Sequence, residues 1–200
     1  MSRLLAVAAI GLLLQGCSSL IARTTGSEPI GKAPGERTLS MSLQDNSIET
    51  TAEVNILKAD PRFREANVNV VSFYGSVLLA GQVQNDELKQ KAEQIVRNIA
   101  EVRQVHNELT VGNVSYYGER TSDGLISTTV RTRLTLEKGF PSSRTKVFTV
   151  AGTVYLLGKL TPTEADKAVL IASQASGVKK IVKMLDYLPE PQSTPATTGR

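Results

Sequence analysis

Apolar residues recur in steps of four from Ile48 through Ala52 to Ile56, and again from Ile126 through Val130 to Leu134. That spacing puts each trio on one face of a helix. Behind each trio stand two short apolar runs separated by a turn with a central glycine. In the first set Val68 to Phe73 and Val77 to Val83 flank Tyr74-Gly75-Ser76; in the second, Lys146 to Val150 and Val154 to Leu160 flank Ala151-Gly152-Thr153. The pattern predicts a β-hairpin in each. A second helix is expected from Asp86 and from Thr163, each with acidic residues in its first turn, where the helix dipole favours them. A closing strand is expected over Val102 to Val111 and over Val178 to Leu188.

The two sets are copies of one unit. Asp45-Asn46-Ser47-Ile48-Glu49-Thr50-Thr51-Ala52 aligns with Asp123-Gly124-Leu125-Ile126-Ser127-Thr128-Thr129-Val130, and Val102-Arg103-Gln104-Val105 with Val178-Lys179-Lys180-Ile181. Matches in the same order at nearly constant spacing mark a duplication. The fold class is therefore α+β: two tandem αββαβ domains, 45–112 and 123–188, joined by a linker over 113–122. Each packs two helices on a small three-stranded mixed sheet. Gly75, Gly81, Gly152 and Gly158 are assigned to turns and close packing rather than to chemistry.

The ends of the chain read differently. After Arg3 an apolar run extends from Leu4 to Leu14, too short for a bilayer-spanning helix, which needs roughly 20 residues. It suits the apolar region of a secretory signal peptide, Met1 to Gly16, removed from the mature protein. The residues that follow, Leu14-Gln15-Gly16-Cys17, resemble the bacterial lipobox. That resemblance implies acylation of Cys17, palmitate included, and Ser18 in place of Asp implies export to the periplasmic face of the outer membrane. Two or more acyl chains make such anchoring stable. Because Cys17 is the only cysteine, no disulfide and no cysteine nucleophile remain. Ser, Thr, Gly and Pro dominate the stretch from Cys17 to Ser42, which reads as a flexible tether, and 189–200 reads as a disordered tail.

With Gly-Ser-Val-Leu-Leu-Ala-Gly and Gly-Thr-Val-Tyr-Leu-Leu-Gly at their centres, and Ser176-Gly177-Val178-Lys179-Lys180 near the end of the second, the repeats resemble BON domains. A lipobox followed by two of them resembles the dual-BON outer-membrane lipoproteins. That family implies phospholipid binding, a role in envelope integrity, and no catalytic activity. Outer-membrane or division-site envelope proteins are the further partners it implies.

Charge then separates the copies. Residues 45–112 hold 7 Lys and Arg against 10 Asp and Glu, a balance of −3; residues 123–188 hold 10 against 5, a balance of +5. The first helix shows where they diverge: Ser47, Glu53, Asn55 and Lys58 of the first copy stand against Leu125, Arg131, Arg133 and Leu136 of the second. Apolar residues beside cations suit a helix lying on an anionic phospholipid membrane. Leu125, Arg131, Arg133 and Leu136 are thus the candidate lipid-binding residues; the alternative is that Leu125 and Leu136 pack against the first domain. In the family this helix carries an aromatic near the position of Leu125, so here affinity is expected to rest more on charge.

No enzyme is expected. His106 is the only histidine, no Ser/His/Asp set can be assembled around it, and no His/Cys cluster has metal-ligand spacing. Neither a metal nor another cofactor is expected, and nucleic acid is excluded as a partner by the periplasmic address. An adaptor that docks on an outer-membrane or cell-wall assembly factor is the alternative function, and a hydrolase a distant third.

Overall fold

A computed structural model describes residues 35–112 and 117–190, which fall in one compact unit beginning at Gly35. The elements run α1 (Leu39–Ala59), β1 (Asn67–Phe73), β2 (Ser76–Val83), α2 (Asp86–Arg97) and β3 (Gln104–Val111). They continue as α3 (Tyr117–Leu136), β4 (Thr145–Val150), β5 (Thr153–Leu160), α4 (Pro162–Ser173) and β6 (Lys180–Tyr187). A 3₁₀ turn precedes β1 (Pro61–Glu65) and another precedes β4 (Ser142–Arg144). Both halves are αββαβ. In each sheet the middle strand pairs antiparallel with its hairpin partner and parallel with the last strand, in the orders β1-β2-β3 and β4-β5-β6.

Local chemistry sets the boundaries. Thr38 caps α1 by accepting from the Met41 amide at 3.2 Å, so the helix starts at Leu39 and takes in the last residues of the expected tether. Pro61 stops it, because a proline cannot continue the hydrogen-bond ladder. Asn85 accepts from the Leu88 amide to start α2, and Thr161 with Glu164 forms a full capping box at α4. α3 begins at Tyr117 and so absorbs the second half of the expected linker. At the far end Glu190 accepts from the Thr163 amide at 2.8 Å, which fastens the first residues of the expected tail. The expected signal peptide, Cys17, Ser18 and the tail beyond Glu190 lie outside the described residues.

Strands β2 and β5 are nearly continuous apolar runs because both of their faces are covered. Alternation sends Val77, Leu79 and Val83 toward α1 and α2, where Ile48, Ala52 and Ile56 complete the first core. In the second domain Val154, Leu156 and Leu160 meet Ile126, Val130 and Leu134 of α3. The opposite faces form one shared cluster, Val71, Phe73, Leu78 and Ala80 of the first domain with Tyr155, Leu157 and Met184 of the second. The two domains therefore join through the helix-free faces of their sheets. Polar ties frame that junction: Lys146 Nζ meets Glu49 Oε1 at 2.6 Å, and Arg103 meets Asp186 at 2.8 Å.

Candidate functional site

The first helix of each domain is locked to its hairpin by one carboxylate. Asp123 accepts from the Ala151 amide at 2.8 Å and from the Gly152 amide at 2.9 Å. Both turn residues have positive φ, 50° and 77°, which turns their amides toward the helix. Asp45 serves the Tyr74 and Gly75 amides in the same way and also accepts from the Ser72 hydroxyl and from Arg37. Burial pushes the Asp45 carboxyl up, but the donors from Gly75, Ser72, Arg37 and Tyr74 outweigh it and hold the group below its ordinary value. The two aspartates open the aligned repeat in the sequence, so their equivalence was visible there although their role was not.

On this fixed helix α3, the inward face is Ile126, Val130 and Leu134, all buried. Leu125 and Leu136 lie about three turns apart on the outward side and are 66% and 78% exposed. They do not pack against the first domain. Only threonines separate them along this crest: Thr128, Thr129 and Thr132 are exposed. Arg133 is exposed as well and lies two turns beyond Ile126.

Arg131 stands apart from the other three. Its guanidinium reaches toward the Val147 carbonyl at 3.5 Å and lines a cavity of about 390 Å³ with Asn67, Asn69, Asp123, Ser127 and Phe148. That cavity lies at the junction of the domains, on the flank opposite Arg133. Ser127 is buried and bonds the Thr149 hydroxyl at 2.8 Å, whereas its counterpart Glu49 reaches the Ser72 amide and Lys146. The divergence at that pair serves the domain junction.

Elsewhere the described residues offer little chemistry. No group of three His, Cys, Asp or Glu side chains stands close enough to hold a metal ion among them. No buried side-chain nitrogen or oxygen among them lacks a hydrogen-bond partner. Burial lowers the His106 pKa, with Glu108 and Asp186 pulling the other way less strongly. No helix among the described residues is long and apolar enough to cross a membrane. The outward face of α3 is therefore the candidate site: two exposed leucines about three turns apart, with Arg133 on one flank and Arg131 on the other.

The chain is similar to one protein family and to several known proteins. Residues 44–113 and 122–189 match the BON domain. Outer membrane lipoprotein DolP of Haemophilus influenzae is 33% identical over 180 residues, which cover 88% of this chain and 91% of that protein. The 21 kDa hemolysin of Actinobacillus pleuropneumoniae is 30% identical over 152 residues, 76% of this chain and 78% of that one. A solved structure, the C-terminal domain of CdsD, a structural protein of the type III secretion system of Chlamydia trachomatis, is 13% identical with a TM-score of 0.30. It covers 68% of this chain and 96% of its own. The matched segments span both repeats, and the chain belongs to the BON-domain family as a dual-BON protein similar to DolP.

Proposed function

We propose that this protein is a non-enzymatic outer-membrane lipoprotein, anchored at the periplasmic face by acyl chains on Cys17, that binds anionic phospholipid through its second BON domain and so supports envelope integrity. The observation that carries the reading is the pair Leu125 and Leu136, exposed on a helix whose inner face is buried and which Asp123 ties to its hairpin. Apolar side chains held outward beside cations suit insertion among acyl chains with the charges at the headgroups. The +5 balance of residues 123–188 supports an anionic surface, and the similarity to a protein named as an outer membrane lipoprotein supports the address.

The test is vesicle flotation of the mature chain carrying Cys17→Ser, which removes the acyl anchor. Vesicles containing phosphatidylglycerol or cardiolipin should carry the protein upward, phosphatidylcholine vesicles should not, and salt should release it. Failure to float with anionic vesicles at low salt would leave the acyl chains as the only lipid contact.

One observation favours the adaptor reading as a second function. Helix α1 exposes Leu39, Leu43, Val54 and Leu57, which at 3.6 residues per turn share the face opposite its core residues. An apolar stripe on the acidic domain suits a protein partner better than an anionic bilayer. Replacing Leu43 and Val54 with Ser should then weaken recovery of a partner from cross-linked envelopes while leaving flotation unchanged.

A further inference from the structure

The two domains share one set of backbone donors and use it differently. In each hairpin two turn residues of positive φ separate the strands, Tyr74-Gly75 and Ala151-Gly152. The residues flanking such a turn exchange hydrogen bonds, and the next pair along the ladder does not. Ser72 and Thr149 belong to that next pair, so their amides point away from the middle strand. In the first domain the Ser72 amide donates to Glu49 Oε1 of α1 at 2.7 Å, and Lys146 Nζ donates to the same oxygen at 2.6 Å. One amide and one cation thus hold a carboxylate at the open edge of β1.

The second domain keeps the amide and a cation and carries no carboxylate between them. Ser127 stands at the position of Glu49 and donates to the Thr149 hydroxyl at 2.8 Å. Thr149 is 4% exposed, and its amide has no acceptor among the described residues. Buried backbone amides are rarely left in that condition. The cation is Arg131, which replaces Glu53. Its guanidinium lies 3.5 Å from the Val147 carbonyl, which faces the same open edge of β4, and it forms no ion pair among the described residues. Thr149 and Arg131 both line the cavity of about 390 Å³ at the domain junction.

We infer that this cavity binds the terminal carboxylate of a short peptide, held by the Thr149 amide and the Arg131 guanidinium as Glu49 is held by the Ser72 amide and Lys146. A carboxylate fits better than a phosphate dianion. Asp123 lines the turn end of the cavity, and its negative charge disfavours a second charge on the ligand. The volume far exceeds one carboxylate. Phe148 supplies an apolar wall for a side chain, and Asn67 and Asn69 supply side-chain amides suited to a peptide main chain. A free carboxylic acid shares the charged end, and the remaining contacts select the peptide.

The test is a titration of the mature Cys17→Ser chain, read at the amide resonance of Thr149 and the Nε–H resonance of Arg131. The probes are N-acetyl-alanyl-alanine, its C-terminal amide, and acetate, at matched ionic strength and neutral pH. The acid should shift both resonances, the amide should leave them in place, and acetate should bind about tenfold or more weakly. R131Q should weaken binding of the acid about tenfold or more, because it removes a charge-assisted hydrogen bond. S127E brings the first domain's carboxylate to these donors. It should fold, melt no lower than the parent and no longer bind the acid. R131Q/S127E should melt below S127E, since the new carboxylate then lacks its cation. If the acid shifts neither resonance, or R131Q binds it as the parent does, the site is not here. Acetate binding as tightly as the dipeptide would reassign the cavity to a small carboxylic acid. An S127E chain that unfolds, or that still binds the acid, would show that the two donors do not converge on one carboxylate.

Discussion

The carboxylate of Asp123 accepts a hydrogen bond from the Gly152 amide at 2.9 Å, and in the first domain Asp45 stands in the same relation to Gly75, also at 2.9 Å. The device fixes where the first helix lies on its hairpin and hence where the outward face of α3 points. Its two copies differ in weight, because Asp45 is buried under several donors and Asp123 is partly open to solvent. Asp45→Asn should cost about 2–4 kcal/mol, since it removes a buried charge that hydrogen bonds compensate. Asp123→Asn should cost about 1 kcal/mol. Urea unfolding of the two variants measures both values.

Acid should remove stability in two stages. The folded-state pKa of His106 is depressed by burial, so the unfolded chain binds the proton first, and stability falls as pH drops below about 6.5 toward the folded value. The folded-state pKa of Asp45 is depressed as well. Its contribution is complete above the ordinary carboxylate value near pH 4 and is lost as pH falls through the folded value. A series of melting curves from pH 8 to pH 2 should show a shallow decline and then a steeper one. His106→Gln should remove the first stage and leave the second.

Gly81 and Gly158 occupy equivalent places on the middle strands, with φ 133° and 155°. A Cβ at Gly81 would collide with the Asn67 carbonyl, and one at Gly158 with the Arg144 carbonyl, both backbone atoms. Gly112 has nothing within 4 Å of that position. Alanine at either strand glycine should therefore cost more than about 2 kcal/mol, and alanine at Gly112 less than about 0.5 kcal/mol. Comparing the three denaturation midpoints checks this directly.

Cutting the chain between the domains should destabilise both pieces. Separation exposes Val71, Phe73 and Leu78 on one side and Tyr155, Leu157 and Met184 on the other, and it breaks Glu49 from Lys146. The intact chain should melt in one transition, above either separate domain, and the separate second domain should bind a dye for exposed apolar surface. Two independent transitions in the intact chain would contradict the shared core.

Much of the fold was legible because the duplication supplied its own control. Ile48, Ala52 and Ile56 kept apolar counterparts in Ile126, Val130 and Leu134, and all six are buried. Leu125 and Leu136 faced polar counterparts, and both are exposed. What stayed hidden depends on how the copies meet. The second buried face of β2 and β5 looks in one dimension like the apolar run of any central strand. The use of Glu49 for Lys146 and the Ser72 amide needs the domain junction to exist before it has meaning. Spacing placed Arg131 on α3 without its neighbours, whereas in the structure it lines the groove between the domains together with Asn67 and Asn69, its guanidinium 3.5 Å from the Val147 carbonyl.

The claim that the outward crest of α3 is the lipid-facing surface is tested most directly by one double variant, Leu125→Ser with Leu136→Ser, in the mature Cys17→Ser chain. Both side chains are exposed, so stability should stay within about 1 kcal/mol of the parent, in contrast to the roughly 2–4 kcal/mol expected for Leu134→Ala in the core. Flotation with phosphatidylglycerol vesicles should fall at least tenfold, because two apolar insertions are lost. A variant that melts like the parent and still floats like it would contradict the account.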